Sequence, residues 1–291
     1  MSLLIQLRYR IKAIDTIKKI THAMRLISMS SRSRLKSKEE PLREYIKTST
    51  SLLQRIKENA PTWHNPIINP SVDSPANPLV ILIGSQRGLC GSFNTTLFHF
   101  FEKTVFQSAV LDEKIQIIPI GKKAVHYIED KPLYTVIEQY PELNAKTLKT
   151  IAHHIIELLI NRESPFTHVT VYSNKLKTFF VQKPHETVLI PFSTKDSIAT
   201  QKNNDSKHIH EDYYWEQTPN ELLNQLAYQT LEVNFHYLLF QSLLAEHAAR
   251  FISMDNATRN AQTLLEDTQL QYNKLRQAKI TKELTELVSN M

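Results

Sequence analysis

Residues 218–291 read TPNELLNQLAYQTLEVNFHYLLFQSLLAEHAARFISMDNATRNAQTLLEDTQLQYNKLRQAKITKELTELVSNM, and after Pro219 they contain neither glycine nor proline. The opening TPNE supplies Thr218 as N-cap, Pro219 at the first helical position and Glu221 at the third, a capping box with proline. A single helix from there to the end would reach about 105 Å at ~1.5 Å per residue, several times the width of a small domain. Such a helix needs a cover for its apolar side. Leu244, Phe251, Met254, Ala261, Leu265, Thr268, Tyr272 and Leu275 recur at steps of three, four or seven, the spacing of a coiled-coil seam.

The only comparable object in the chain is residues 1–58. There Leu3, Leu7, Ile11, Ile14, Ile17, Met24 and Ile27 recur at three- and four-residue steps, the pattern of an amphipathic helix, with Pro41 a candidate kink. The two ends are expected to wind together. Because an intervening domain must fit at one end, the pairing is antiparallel, with that domain as foot or head of a rod. Residues 59–78, NAPTWHNPIINPSVDSPANP, carry five prolines and read as a linker that no helix crosses. Between residues 79 and 192 the strand candidates LVILI, IQIIPI, HVTVY and TVLIP alternate with the helix candidates NTTLFHFFEKTVFQ, KKAVHYIED and AKTLKTIAHHIIELLIN. This alternation predicts a small open sheet with helices on its faces. Residues 193–217 read as a polar flap. The expected fold class is α/β plus a long antiparallel helical coiled coil, divided as 1–58, 59–78, 79–217 and 218–291.

Three of the four glycines, Gly84, Gly88 and Gly91, fall in IGSQRGLCGSFNTTLF, residues 83–98, between a predicted strand and a predicted helix. A phosphate loop of the Walker A kind ends in Gly-Lys-Ser/Thr, whereas Ser92-Phe93 follow Gly91 here. A dinucleotide fingerprint requires Gly-x-Gly-x-x-Gly, and the spacing here is Gly-x-x-x-Gly-x-x-Gly. These glycines are therefore expected to serve a tight structural turn. HIHED, with His208, His210, Glu211 and Asp212, lies in the polar flap without a spaced partner pair and is read as solvated loop. His153 and His154 point to different faces of a helix. No Gly-x-Ser-x-Gly, His-Glu-x-x-His or paired carboxylates with a base occur, so no catalytic, cofactor-binding or metal-ligating residue is expected. The lone cysteine, Cys90, excludes an internal disulfide and reads as a small buried hydrophobe. No uncharged apolar run reaches the ~18 residues of a membrane span, and the N-terminus lacks the unbroken apolar core of a secretory signal.

Charge is concentrated at one end. Residues 1–38 contain ten Lys or Arg and the single acid Asp15, within a chain whose formal net charge is +6. Such a segment suits nucleic acid, an anionic membrane surface or an acidic protein face. Against nucleic acid, the C-terminal helix carries six basic and eight acidic residues and no recognisable binding module.

Three separated stretches carry a family likeness. RIKAIDTIKKITHAMRLIS (10–28) resembles the N-terminal helix of the gamma subunit of F-type ATP synthases, SQRGLCGSFNTTLF (85–98) resembles that family's glycine turn, and residues 245–288 are similar to its C-terminal helix nearly throughout. The resemblance implies an antiparallel coiled coil with a Rossmann-like foot. It also implies a rotor shaft inside a hexamer of alternating alpha and beta subunits, its foot joined to the epsilon subunit and the membrane ring of c subunits, with catalysis in the beta subunits. Nucleic acid has no place in this reading, and membrane association comes only through the complex. By position, Met24 and Arg25 match the contact with the acidic lever loops of the beta subunits. Arg276, Gln277 and Thr281 match residues that hydrogen-bond a catch loop of the beta subunits. Two departures stand out: Gln86 where the family usually has Asp, and LISMSSRSR in place of a run of small residues. The chain lacks the cysteine-bearing insertion of chloroplast versions and shows no evident transit sequence. Together with the resemblance this implies a bacterial version, peripheral at the cytoplasmic face of the inner membrane.

Overall fold

A computed structural model describes residues 3–58, 63–65, 77–108, 115–162, 164–192 and 218–289. The HIHED residues His208, His210, Glu211 and Asp212, with the rest of segment 193–217, lie outside the described residues. Two helices dominate: α1 (Leu3–Glu58), which runs on through Pro41, and α5 (Pro219–Ser289). At ~1.5 Å per residue they span about 84 and 107 Å.

They pair antiparallel. Ile14 packs with Ala261 and Leu265, Thr258 Oγ1 donates to Thr21 Oγ1 at 3.0 Å, and Tyr45 accepts from Gln229 at 2.7 Å. The α1 side of the seam is a regular four-three alternation through Leu7, Ile11, Ile14, Lys18, Thr21, Arg25, Ser28, Arg32, Leu35, Glu39, Leu42 and Ile46, all buried or half-buried. Two residues assigned to this stripe from the sequence belong elsewhere. Ile17 is 54% and Ile27 62% exposed, because the seam passes between them through polar residues that an apolar pattern search skips. Leu3 and Leu275, at the far end of the pair, are also exposed. Beyond Tyr272 every described residue of α5 is exposed, so its last 17 described residues, roughly 25 Å, project past the start of α1.

Between the helices the chain builds β1 (Pro78–Ile83), α2 (Phe93–Ser108), β2 (Ile115–Ile120), α3 (Lys122–Glu129), β3 (Tyr134–Val136), α4 (Leu148–Ile160), β4 (His168–Thr178) and β5 (Val181–Ile190). The strand order is β3-β2-β1-β4-β5, parallel except for the β4/β5 hairpin. All four strand candidates and all three helix candidates form. The three-residue edge strand β3, which pairs with β2 and is exposed at two of its positions, was not anticipated.

Pleat alternation divides the core. Leu79, Ile81, Ile83, Val169 and Val171 face α4 and the shaft, meeting Leu35 and Ile46 of α1 and Leu231 through Leu244 of α5. Val80, Leu82, Ile117 and Tyr172 face α2 and α3 around Leu97 and Phe101. The sheet thus uses the shaft as part of one helical layer. Trp63 and Asn65, in the proline-rich stretch, are tied to the start of α5: both donate to Asn224 Oδ1, at 3.0 and 2.9 Å.

Candidate functional site

The turn after β1 lies where an open α/β sheet ordinarily holds a ligand. β1 has β2 on one side and β4 on the other, so the chain reverses its winding there, and the crevice at the carboxyl end of β1 is the usual binding position. In this molecule α5 fills that crevice. Arg250 donates from Nε to the Gly88 carbonyl at 3.2 Å and from Nη2 to the Arg87 carbonyl at 3.0 Å, and it is ion-paired with Glu246 one helical turn earlier. Glu246 accepts in turn from the Gln86 backbone amide at 3.2 Å. Glu246 and Arg250 are only 3% and 5% exposed. Two buried charges that satisfy each other and three backbone groups of the turn form a clamp, with removal of either partner leaving a stranded charge. The turn that resembles a phosphate cradle binds the shaft instead.

Its glycines have separate duties. A Cβ on Gly84 would sit 2.9 Å from the backbone nitrogen of Ala124, so Gly84 permits close approach of β1 to α3. Gly91 has φ +59°, in the left-handed region. Gly88 meets neither demand: its φ is ordinary and the space around it is open to within 3.8 Å. The fourth glycine, Gly121, combines φ +90° with a position where a Cβ would overlap the Gly84 carbonyl. It stands alone in the sequence, without the clustering that marks the other three. Within the turn, Asn94 bridges Ser85 through two hydrogen bonds of 3.0 and 2.8 Å. Cys90 is buried against Phe93, Ala245 and Ala249, and burial pushes its thiol above the usual range.

The five residues matched to partner contacts fall into two groups. Met24 and Arg25 lie side by side on α1, Met24 half-buried and Arg25 turned into the seam, where Nη1 donates to Asp255 Oδ1 at 2.6 Å. Arg259 also reaches Asp255, at 2.8 Å. The Arg25 hydrogen bond, ahead of the Arg259 charge, holds the Asp255 carboxyl below its ordinary pKa. Arg276, Gln277 and Thr281 sit on the projecting end of α5, fully outside the pair, and Thr281 Oγ1 donates back to the Gln277 carbonyl at 3.0 Å. About 30 Å of helix separates the groups, since Asp255 opposite Arg25 lies 21 residues before Arg276. His153 and His154 go to different partners, Glu232 and Tyr140. Among the described residues no group of three or more His, Cys, Asp or Glu could hold a metal, and no helix is long and apolar enough to cross a membrane.

These features define a class of protein: a two-helix shaft carrying an α/β unit whose ligand crevice is closed by the shaft itself. A family model described as ATP synthase matches residues 4–291. The ATP synthase gamma chain of Chloroherpeton thalassium is 30% identical over 99% of this chain and 97% of its own length, and that of Aquifex aeolicus 28% identical over 97% and 94%. Among solved structures, a chain of the mitochondrial ATP synthase of Euglena gracilis shares the fold at a TM-score of 0.60 and 17% identity, covering 99% of this chain and 93% of that one. A central-stalk/c-ring chain from Tetrahymena thermophila does so at 0.54 and 19% identity, covering 82% and 99%. The chain belongs to the ATP synthase gamma-chain family, and its function is that of a gamma subunit within that synthase.

Proposed function

We propose that this chain is the central rotor shaft of an F-type ATP synthase, turning inside a hexamer of alternating alpha and beta subunits while its α/β foot joins the epsilon subunit and the c-ring. Torque passes through it; ATP chemistry takes place in the beta subunits. Association with the membrane comes through the complex, at the cytoplasmic face of a bacterial inner membrane, and nucleic acid has no part. In functional terms the chain divides into a first shaft helix (1–58), a linker (59–78), the foot with its flap (79–217) and a second shaft helix (218–291).

The observation that carries this reading is the projecting end of α5, a helix tip left uncovered among the described residues. A shaft seated in a bearing needs such a tip, and Leu275, Ile280, Leu284, Leu287 and Val288 leave it apolar and exposed. Arg276, Gln277 and Thr281 on that tip hydrogen-bond the catch loop of a beta subunit. Lower down, Met24 and Arg25 meet the acidic lever loops, with the exposed Lys19 and Lys36 adding positive charge along the same helix. Gly84, Gly88 and Gly91 belong to the turn that fastens foot to shaft.

Co-expression with alpha and beta subunits of the same source tests the proposal. It predicts a complex of three alpha, three beta and one copy of this chain that hydrolyses ATP, with activity reduced by Gln277→Leu combined with Thr281→Val. Failure of the chain to enter the complex would contradict it.

A further inference from the structure

Beside the Glu246/Arg250 clamp a half-open cleft of about 720 Å³ is enclosed by α1, the turn after β1, the 143–145 loop and α5. Arg34 and Lys38, one helical turn apart on α1, line one side and Arg87 another, while Gln86 and Asn144 add amides and His247 stands on α5. The Arg34, Lys38 and Arg87 side chains have no hydrogen-bond or ion-pair partner among the described residues. Among the described residues of the wall the one acid, Glu246, is already committed to Arg250 and the Gln86 amide. His247 Nδ1 is buried there without a partner among the described residues, and the positive fields of Arg250, Arg87 and Arg34 all reach its ring. Arg34, Lys38 and Arg87 are exposed, and like charges gathered around one concavity raise its positive potential and draw anions to it.

We propose that this cleft binds a polyvalent oxyanion of the phosphate class. Arg34 and Arg87 are forked donors suited to two-pronged recognition of such an anion, and Lys38 contributes a point charge. The cations reach the half-open cleft from two separate elements, α1 and the turn after β1, so that one compact polyvalent anion can answer both. The cleft also adjoins the carboxyl end of β1, where α/β sheets commonly receive phosphate groups. Arg250 plugs the crevice itself, so the anion sits beside the usual position and not in it. The inference is a property of the chain alone and does not depend on the rotor reading.

The test titrates the purified full chain with inorganic phosphate, pyrophosphate and ATP, with ionic strength held constant by chloride, while following the thermal midpoint and the His247 ring resonances. A saturable rise in the midpoint is expected with pyrophosphate. It should weaken at least tenfold in Arg34→Gln combined with Arg87→Gln and persist in Arg8→Gln combined with Arg10→Gln, which removes equal charge elsewhere. The His247 ring should titrate at higher pH in the presence of the anion, since Arg34, Lys38, Arg87 and Arg250 then face a counter-charge. ATP binding no tighter than pyrophosphate assigns the site to free phosphates, and tighter binding assigns it to nucleotide tails. Absence of saturation, an equal shift in the Arg34/Arg87 variant, or saturation only by an acidic peptide would overturn the proposal. Lys38→Gln is the alternative variant should the double substitution lower the midpoint without anion.

Discussion

Gly121 shows how a single position can be more constrained than a motif. Its left-handed backbone and its contact with Gly84 join the carboxyl ends of β1 and β2, where Gly84 also donates to the Ile120 carbonyl at 2.9 Å. Gly121→Ala is expected to cost about 3 kcal/mol or more, from backbone strain plus overlap, whereas Gly88→Ala should stay within about 0.5 kcal/mol. Denaturant unfolding of the two variants checks the contrast. The clamp residues Glu246 and Arg250 were also missed from sequence, although a signal existed: LLAEHAARF places an opposite-charge pair four apart inside an otherwise apolar and small stretch. Turn glycines announce themselves by clustering, but Glu246, which meets the turn at the Gln86 amide, comes from 160 residues away, and no local pattern reports that distance. His247, next to the clamp, gives a pH prediction. Burial first, then Arg250, Arg87 and Arg34, lower its pKa from 6.5 to about 4. A histidine held neutral in the folded state contributes stability that is complete above pH 6.5 and is lost as pH falls toward 4, by at most about 3 kcal/mol. His247→Asn should therefore flatten the stability profile between those limits relative to the parent chain, with His185 and His236, also lowered by burial, leaving a shared residual slope.

At the scale of elements, the long helices, four of the five strands and the helices between them were legible, because absent glycine and proline, short apolar runs and capping residues are local signals. The seam was legible only in part. Its middle section is Lys18, Thr21, Arg25, Ser28 and Arg32, so the contact geometry continues in residues that a search for apolar periodicity cannot see, while Ile17, Ile20 and Ile27 stand outside. Polar pairs replace packing there, Thr21 with Thr258 and Arg25 with Asp255. The consequence is measurable. Ile14→Ala, within the Ala261/Leu265 cluster, should cost about 2–4 kcal/mol, whereas Ile17→Ala, three residues on, should cost less than about 0.5 kcal/mol. Equal costs at the two positions in urea unfolding would mean that the seam runs elsewhere. A polar middle section also gives weaker cohesion to the part of the shaft next to the foot than the Leu35–Ile46 section enjoys against the sheet core.

For the whole molecule, one helical pair serves two purposes. Its lower half is a layer of the α/β core, anchored by Leu231 through Leu244 and by the Glu246/Arg250 clamp, and its upper half leaves that core as a free rod ending in a bare tip. Turning the foot must therefore turn the rod, because the sheet, the turn and α5 share one packed interior. That rigid connection, together with the uncovered tip, is what the rotor account requires of the structure. Its most direct test is to attach a visible probe to the foot of the chain within a surface-held alpha–beta complex and watch it during ATP hydrolysis. Lys183→Cys, on the exposed edge strand β5, supplies the attachment point, since the single native thiol of Cys90 is buried. The account predicts stepwise rotation in one direction that stops when ATP is exhausted; hydrolysis that proceeds while the probe only fluctuates about a fixed angle would contradict it.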